Sequence, residues 1–239
     1  MVIGLTVEKT ATSFAAPTQS KLRELAAIRE FPRLAIHAKS LTELPRGSET
    51  VVVIPGFSTT DRATWPLRRM LQTLGHEVHG WGLGVNRAEV EAMLPTVVNM
   101  IDRRAQAASQ PVSLIGWSNG GVFVREVARD RPDLVSQVLT YGTPIFGGPK
   151  FSRGAALYSP EEIDRIEAVV EQRNTIPIER PITAFYSKND AIVDWRACID
   201  DFSPDVENIE VHSTHAGMGI DPDIWRGVAE RLGSSGTAP

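Results

Sequence analysis

Apolar positions along this chain switch between two periods. From Glu49 onward, short apolar or β-branched runs alternate with stretches in which apolar residues recur at helical spacing, the pattern of a parallel sheet flanked by helices. Val51-Val52-Val53-Ile54 is apolar at every position, as a strand covered on both faces requires, and it ends at Pro55-Gly56. Leu67, Met70, Leu71 and Leu74 then share one helical face, with Pro66 suited to a first turn and Gly75 to a stop. Glu77 to Trp81 predicts a second strand. Val90, Met93, Leu94, Val97, Val98 and Ile101 predict a helix that Pro95 should kink or restart. Four more strands are predicted at Pro111 to Trp117, Val135 to Tyr141, Ile182 to Tyr186 and about Ile209 to His212, with a helix over Gly120 to Asp130. A final helix should run from near Asp221-Pro222 to Gly233.

Between the fourth and fifth strands, Ser159-Pro160-Glu161-Glu162 is a capping box with proline at the first helical position. It opens a helix whose Ile163, Ile166, Val169 and Val170 should face inward, so an insert over about residues 146–180 reads as a small helical cap. Residues 1–19 read as a flexible arm, with a first helix from about Ser20, and residues 233–239 as a flexible tail. The expected fold is thus a single α/β domain over residues 20–232, and functional residues are expected after Glu49.

Composition mainly excludes. A chain of 239 residues buries about 70–75% of its unfolded surface and needs no disulfide or structural metal. The formal charge of −4 and a pI of about 5.8 leave no basic footprint for nucleic acid. The single cysteine, Cys198, has no partner for an internal disulfide or a thiolate metal site, which suits a reducing compartment. No apolar run approaches the roughly 18 residues of a membrane span, and the amino terminus lacks the pattern of a secretory signal. A cytoplasmic protein is expected.

Gly116-Trp117-Ser118-Asn119-Gly120 matches G-x-S-x-G. The bare pattern occurs by chance about 0.1 times in a chain of this length, so its position between an apolar strand and a helix carries the weight. A nucleophilic serine must stand clear of the sheet on a tight turn, and Gly116, Gly120 and Gly121 leave room for one. Such a serine needs a base and an orienting acid from other loops at the same sheet edge. His215, in Ser213-Thr214-His215-Ala216-Gly217, lies between the last strand and the last helix, the base position in a serine, acid, histidine order. His37, His76, His79 and His212 fit less well and read as structural or exposed. Asp190 and Asp194 both follow the fifth strand; Asp190 comes directly after it, whereas Asp194 could cap the next turn. Backbone amides of Phe57, after the first strand, and Asn119, at the helix start, are candidate oxyanion donors.

With these residues the sequence resembles the α/β-hydrolase superfamily, and in particular its esterase and lipase-like members. The resemblance spans about residues 50–232 and is carried by IPGF, GWSNGGVFVRE, YGTPIFG, YSKNDAIVDW and STHAGMG. It implies Ser118 as nucleophile, His215 as general base, Asp190 as its partner, and Phe57 and Asn119 as oxyanion donors. It also implies a partly apolar small-molecule ester as substrate and calls for no cofactor and no metal. The polar Asn119, where members often carry an apolar residue, and the stretch before residue 50 depart from the pattern. An acyltransferase would use the same triad, and a noncatalytic ligand-binding protein the same fold. Phe146, Phe151, Leu157 and Tyr158 of the cap are candidates for an acyl pocket or for plain packing.

Overall fold

The computed structural model describes residues 16–17 and 20–234. The arm assigned to residues 1–19 lies almost wholly outside the described residues, and of the tail assigned to residues 233–239, Gly233 and Ser234 instead end the last helix while the rest lies outside them. Six strands, β1 (Thr50–Ile54), β2 (Glu77–Gly80), β3 (Val112–Trp117), β4 (Val135–Tyr141), β5 (Ile182–Ser187) and β6 (Val206–Val211), form one sheet in the order β2-β1-β3-β4-β5-β6. Every pairing is parallel. All strands thus point the same way, and the loops after them gather at one edge. The strand order reverses between β1 and β3, which opens a crevice there.

Alternation along the strands sorts the core into two layers. Val51, Val53, Ile115, Leu139, Tyr141 and Phe185 pack against α1 (Glu30–Thr42), α2 (Asp61–Thr73) and α6 (Pro222–Ser234). Val52, Ile54, Leu114, Val138 and Ile182 face α3 (Val90–Ala108) and α4 (Asn119–Asp130). Val135 and Val138 share that second face although an odd number of residues apart. The β3–β4 register explains it: Val112 pairs with Val135 but Ser113 with Gln137, so Ser136 is an extra residue that resets the alternation.

Several boundaries differ from the sequence expectation. Helix α2 begins five residues earlier than Pro66, capped by the Thr60 hydroxyl accepting from the Arg62 amide. Asp61 is held there because its carboxylate accepts the Trp81 and Gly82 amides just beyond β2, at 3.0 Å each. Pro66 costs one amide bond inside a helix otherwise fixed at its start. Helix α3 likewise runs continuously through Pro95. Strand β6 starts at Val206 and ends before His212, because it pairs with the whole of β5 from Ile182 on.

The segment between β4 and β5 holds two short 3-10 turns, Gly148–Phe151 and Arg153–Leu157, then α5 (Pro160–Asn174), whose capping box is complete. The expected inward face of α5 is only half-buried, and Val169 is exposed, because Ile166 and Val170 pack on the short turn at Gly148 rather than on the sheet. Phe151 packs with Val193, Ala197 and Cys198, and Phe146 stacks on Phe151 at 5.4 Å. These two aromatics therefore pack against the loop after β5. Leu157 points to solvent.

Candidate active site

Ser118 is the hinge between β3 and α4, with φ 52° and ψ −123°. A side chain at positive φ is strained, by about 1–3 kcal/mol, and persists only where its surroundings enforce it. Those surroundings are hydrogen bonds and close packing. The Ser118 amide donates to the Tyr141 carbonyl at 2.9 Å, and the Thr143 hydroxyl and Gly121 amide donate to the Ser118 carbonyl at 3.0 and 2.9 Å. A Cβ on Gly116 would lie 2.3 Å from the Gly121 Cα, one on Gly120 2.2 Å from the Ile54 carbonyl oxygen, and one on Gly121 1.9 Å from Thr143 Oγ1. Glycine is required at all three positions for β1, β3 and α4 to meet this closely.

The loop after β1 closes on the same point. A Cβ on Gly56 would sit 3.3 Å from the Ser118 Cβ. The loop's shape comes from buried Asn86, whose amide group donates to the Pro55 carbonyl at 2.8 Å and whose backbone bonds Ser58 and Thr59. Among the described residues, the amides of Phe57 and Asn119 have no protein acceptor. For Asn119, this follows from its place at the first position of α4, where the amide has no partner four residues back.

His215 follows β6 and is buried; its Nδ1 lies 2.6 Å from Asp190 Oδ2. Asp190 is fixed in turn, because its Oδ1 accepts the amides of Ile192 and Val193 at 2.8 Å each. Asp194 is turned elsewhere: it caps the Trp195–Cys198 turn and pairs with Arg196 at 2.9 Å. Among the described residues no hydrogen bond joins the Ser118 hydroxyl to His215. The Trp117 ring, adjacent to Ser118, lies 5.9 Å from the His215 ring, and a Cβ on Gly142 would be 3.0 Å from His215 Nδ1. Ser118, Asp190, His215, Phe57 and Asn119 thus all stand on loops at the carboxyl edge of the sheet.

Among solved structures, a Paleococcus ferrophilus monoacylglycerol lipase superposes with a TM-score of 0.57 at 18% identity, covering 79% of this chain and 96% of that one. The mouse α/β-hydrolase domain-containing protein 10 matches with a TM-score of 0.53 at 18% identity, over 81% of this chain and 94% of that one. The chain has the α/β-hydrolase fold. A third neighbour, Est1E from Butyrivibrio proteoclasticus, solved with ferulic acid bound, matches with a TM-score of 0.58 at 15% identity over 80% and 89% of the two chains. No protein-family model and no curated protein sequence matches.

On this α/β-hydrolase scaffold, burial by itself would keep the His215 imidazole neutral. The Asp190 carboxylate, through its charge and its hydrogen bond, and Glu24 beyond it outweigh burial and raise the imidazole above its ordinary range. The Cys198 thiol, near Asp190 and Asp194, is pushed well up by burial and by both charges and offers no competing nucleophile. His76 is buried with its pKa lowered by burial, His79 bonds Glu77, and His37 bonds the Arg33 carbonyl; none of them reaches the site. A cavity of about 300 Å³ between α1, α2 and α6 is lined by Leu34, Trp65, Met70 and Trp225, and by none of the five candidate residues.

One residue ahead of Glu49 reaches the loops that carry Asp190 and His215. Glu24, in a 3-10 helix over Lys21–Arg29, accepts the amides of Ala191 and Ala216, which directly follow Asp190 and His215. No sequence signal marks it, because its partners are backbone groups more than 160 residues away. Of the other residues that shape the turn, Thr143 lies within the YGTPIFG stretch, whereas Asn86 stands in no motif.

Proposed function

We propose that the protein is a serine hydrolase that cleaves carboxylic esters through an acyl-serine intermediate, with Ser118 as nucleophile, His215 as general base and Asp190 as its orienting acid. The observation that carries this reading is the buried Asp190–His215 pair standing at the same sheet edge as a serine held at positive φ. The names of the structural neighbours, a lipase and an esterase among them, support ester chemistry at the level of the fold.

In the first half-reaction His215 Nε2 takes the Ser118 proton while Oγ bonds to the ester carbonyl carbon. The carbonyl electrons move to oxygen, and the unpaired amides of Phe57 and Asn119 receive that charge. The carbon–oxygen bond to the alcohol then breaks, and the alcohol leaves with the proton from His215. Water, deprotonated by the same ring, attacks the acyl carbon and releases the acid and the serine. A partly apolar small-molecule ester is the proposed substrate.

Turnover of p-nitrophenyl esters across acyl lengths, with intact-mass detection of a fluorophosphonate adduct, tests this directly. Turnover and adduct in the wild type, both lost in Ser118→Ala, are expected. Absence of both from the wild type overturns the reading.

A further inference from the structure

Helix Lys21–Arg29 sits on the domain in an unusual way. Its large apolar residues are turned out, with Leu22 72% and Leu25 69% exposed, so apolar burial on that side does not hold it in place. What holds it includes a polar contact with the site. Glu24 Oε1 accepts from the Ala191 amide at 3.1 Å and Oε2 from the Ala216 amide at 2.8 Å. One carboxylate therefore spans the acid loop and the histidine loop at the residues that follow Asp190 and His215. The next helix continues the attachment. Glu30 is buried near the histidine loop, where a Cβ on Gly217 would lie 3.2 Å from its Cγ, and it pairs with Arg33, which also reaches Asp221 and Asp223.

We propose that Glu24 is a positioning residue for the Asp190–His215 pair, a carboxylate clasp that fixes the two loops relative to each other and adds a negative charge behind the imidazole. The proposal rests on the hydrolase reading above. Asp190 and His215 belong to different loops, after β5 and after β6, and their direct link is one hydrogen bond between side chains. That bond fixes a distance, and ahead of the pair in both loops the Asn189 side chain donates to the His212 carbonyl at 2.7 Å. The Glu24 link, made through the backbone one residue beyond the pair in both loops, ties them on the other side. Charge-assisted bonds from amides to a carboxylate are the stronger kind, which suits a clasp. The charges acting on the ring are those of Asp190 and Glu24, and both favour the protonated form that His215 must adopt during attack. Glu30, Arg33 and Asp221 pair among themselves beneath the following turn.

The test compares the wild type with Glu24→Gln, Glu24→Ala and Glu24→Asp in the full chain. It reads kcat, KM, the pH dependence of fluorophosphonate labelling, the thermal midpoint, and the His215 titration by NMR without substrate. Loss of the charge should lower the pH midpoint of labelling and of the ring titration by about 0.5 unit in Glu24→Gln and Glu24→Ala. Loosening of the loops should cut kcat about tenfold with KM little changed. Glu24→Asp keeps the charge and should keep the midpoint. A lowered thermal midpoint with unchanged kcat and titration would assign Glu24 to attachment of the helix alone and overturn the proposal. A labelled wild type with an unaltered Glu24→Gln also overturns it while leaving the hydrolase reading intact. A wild type that never labels removes both.

Discussion

The imidazole of His215 meets the carboxylate of Asp190 at 2.6 Å, while the other oxygen of that carboxylate accepts two backbone amides at 2.8 Å. Asp190 thus has no free oxygen, and its orientation is set by its own loop. Asn at this position would have to turn its amino group either toward two N–H donors or toward the ring. The first leaves two amides facing a donor, and the second imposes the wrong tautomer on His215. Asp190→Asn should lower kcat about 10⁴-fold on an activated ester. Asp194→Asn, which breaks only the cap and the pair to Arg196, should change it by a few-fold at most. Equal losses in the two variants would mean that Asp190 is not the partner in catalysis.

The raised pKa of His215 fixes the sign of two pH effects. A general base works in its neutral form, so kcat/KM should fall as pH drops through a midpoint above the ordinary imidazole value of about 6.5. Stability runs the other way. A group whose pKa is higher in the folded state contributes stability that is full below its unfolded pKa and disappears as pH rises through the folded one. Urea midpoints of Ser118→Ala should therefore decline over the range in which the wild type gains activity. An activity midpoint below 6 would show that desolvation, not Asp190, dominates the ring.

Ser118 keeps a strained backbone that the proposed hydrolase reading assigns to chemistry rather than folding. Its φ of 52° suits glycine. Ser118→Gly should raise unfolding stability by about 1 kcal/mol while abolishing turnover, because it relieves a positive-φ side chain. Ser118→Ala keeps the strain and should lose activity without that gain. The comparison is made by chemical denaturation at neutral pH. Equal stabilities would mean that the turn holds no appreciable strain.

The sheet was legible because parallel strands buried on both faces are written as unbroken apolar runs, and Val51 to Ile54 can hardly be read otherwise. Ser118 was legible because three close approaches force three glycines around it. The helix starts were less legible. Pro66 and Pro95 look like boundaries, yet the residues that fix the ends act through tertiary bonds, such as Asp61 to Trp81 and Gly82. Glu24 was hidden for a related reason, since a side chain bonded to distant backbone imposes no pattern on the sequence around it. The half-buried face of α5 shows the opposite failure, where helical spacing of apolar residues is present but Ile166 and Val170 meet a short turn at Gly148 and not the sheet.

Helix α4, which begins just after Ser118, is tied to the segment following the Asp190 loop by a buried pair, Arg125 on α4 with Asp200 beyond the Trp195–Cys198 turn, at 2.6 Å. Burial would raise the Asp200 pKa, but the Arg125 charge, the amides of Phe202 and Ser203 and the Arg125 hydrogen bond overcome it and hold the carboxyl below its ordinary range. A group with a depressed folded pKa contributes stability that is present above its unfolded pKa and is lost as pH falls through the folded one. Arg125→Met strands the carboxylate without its cation and should cost about 3–5 kcal/mol at pH 7. In that variant the carboxyl should take up a proton far more readily, so its deficit relative to the wild type should shrink toward pH 4. Adding Asp200→Asn keeps an oxygen for the Phe202 and Ser203 amides and removes the orphaned charge, so the double variant should recover part of the loss at pH 7. Urea unfolding at the two pH values separates the accounts. A deficit that is the same at both would mean that Arg125 contributes through its packing under α4 and not through its charge.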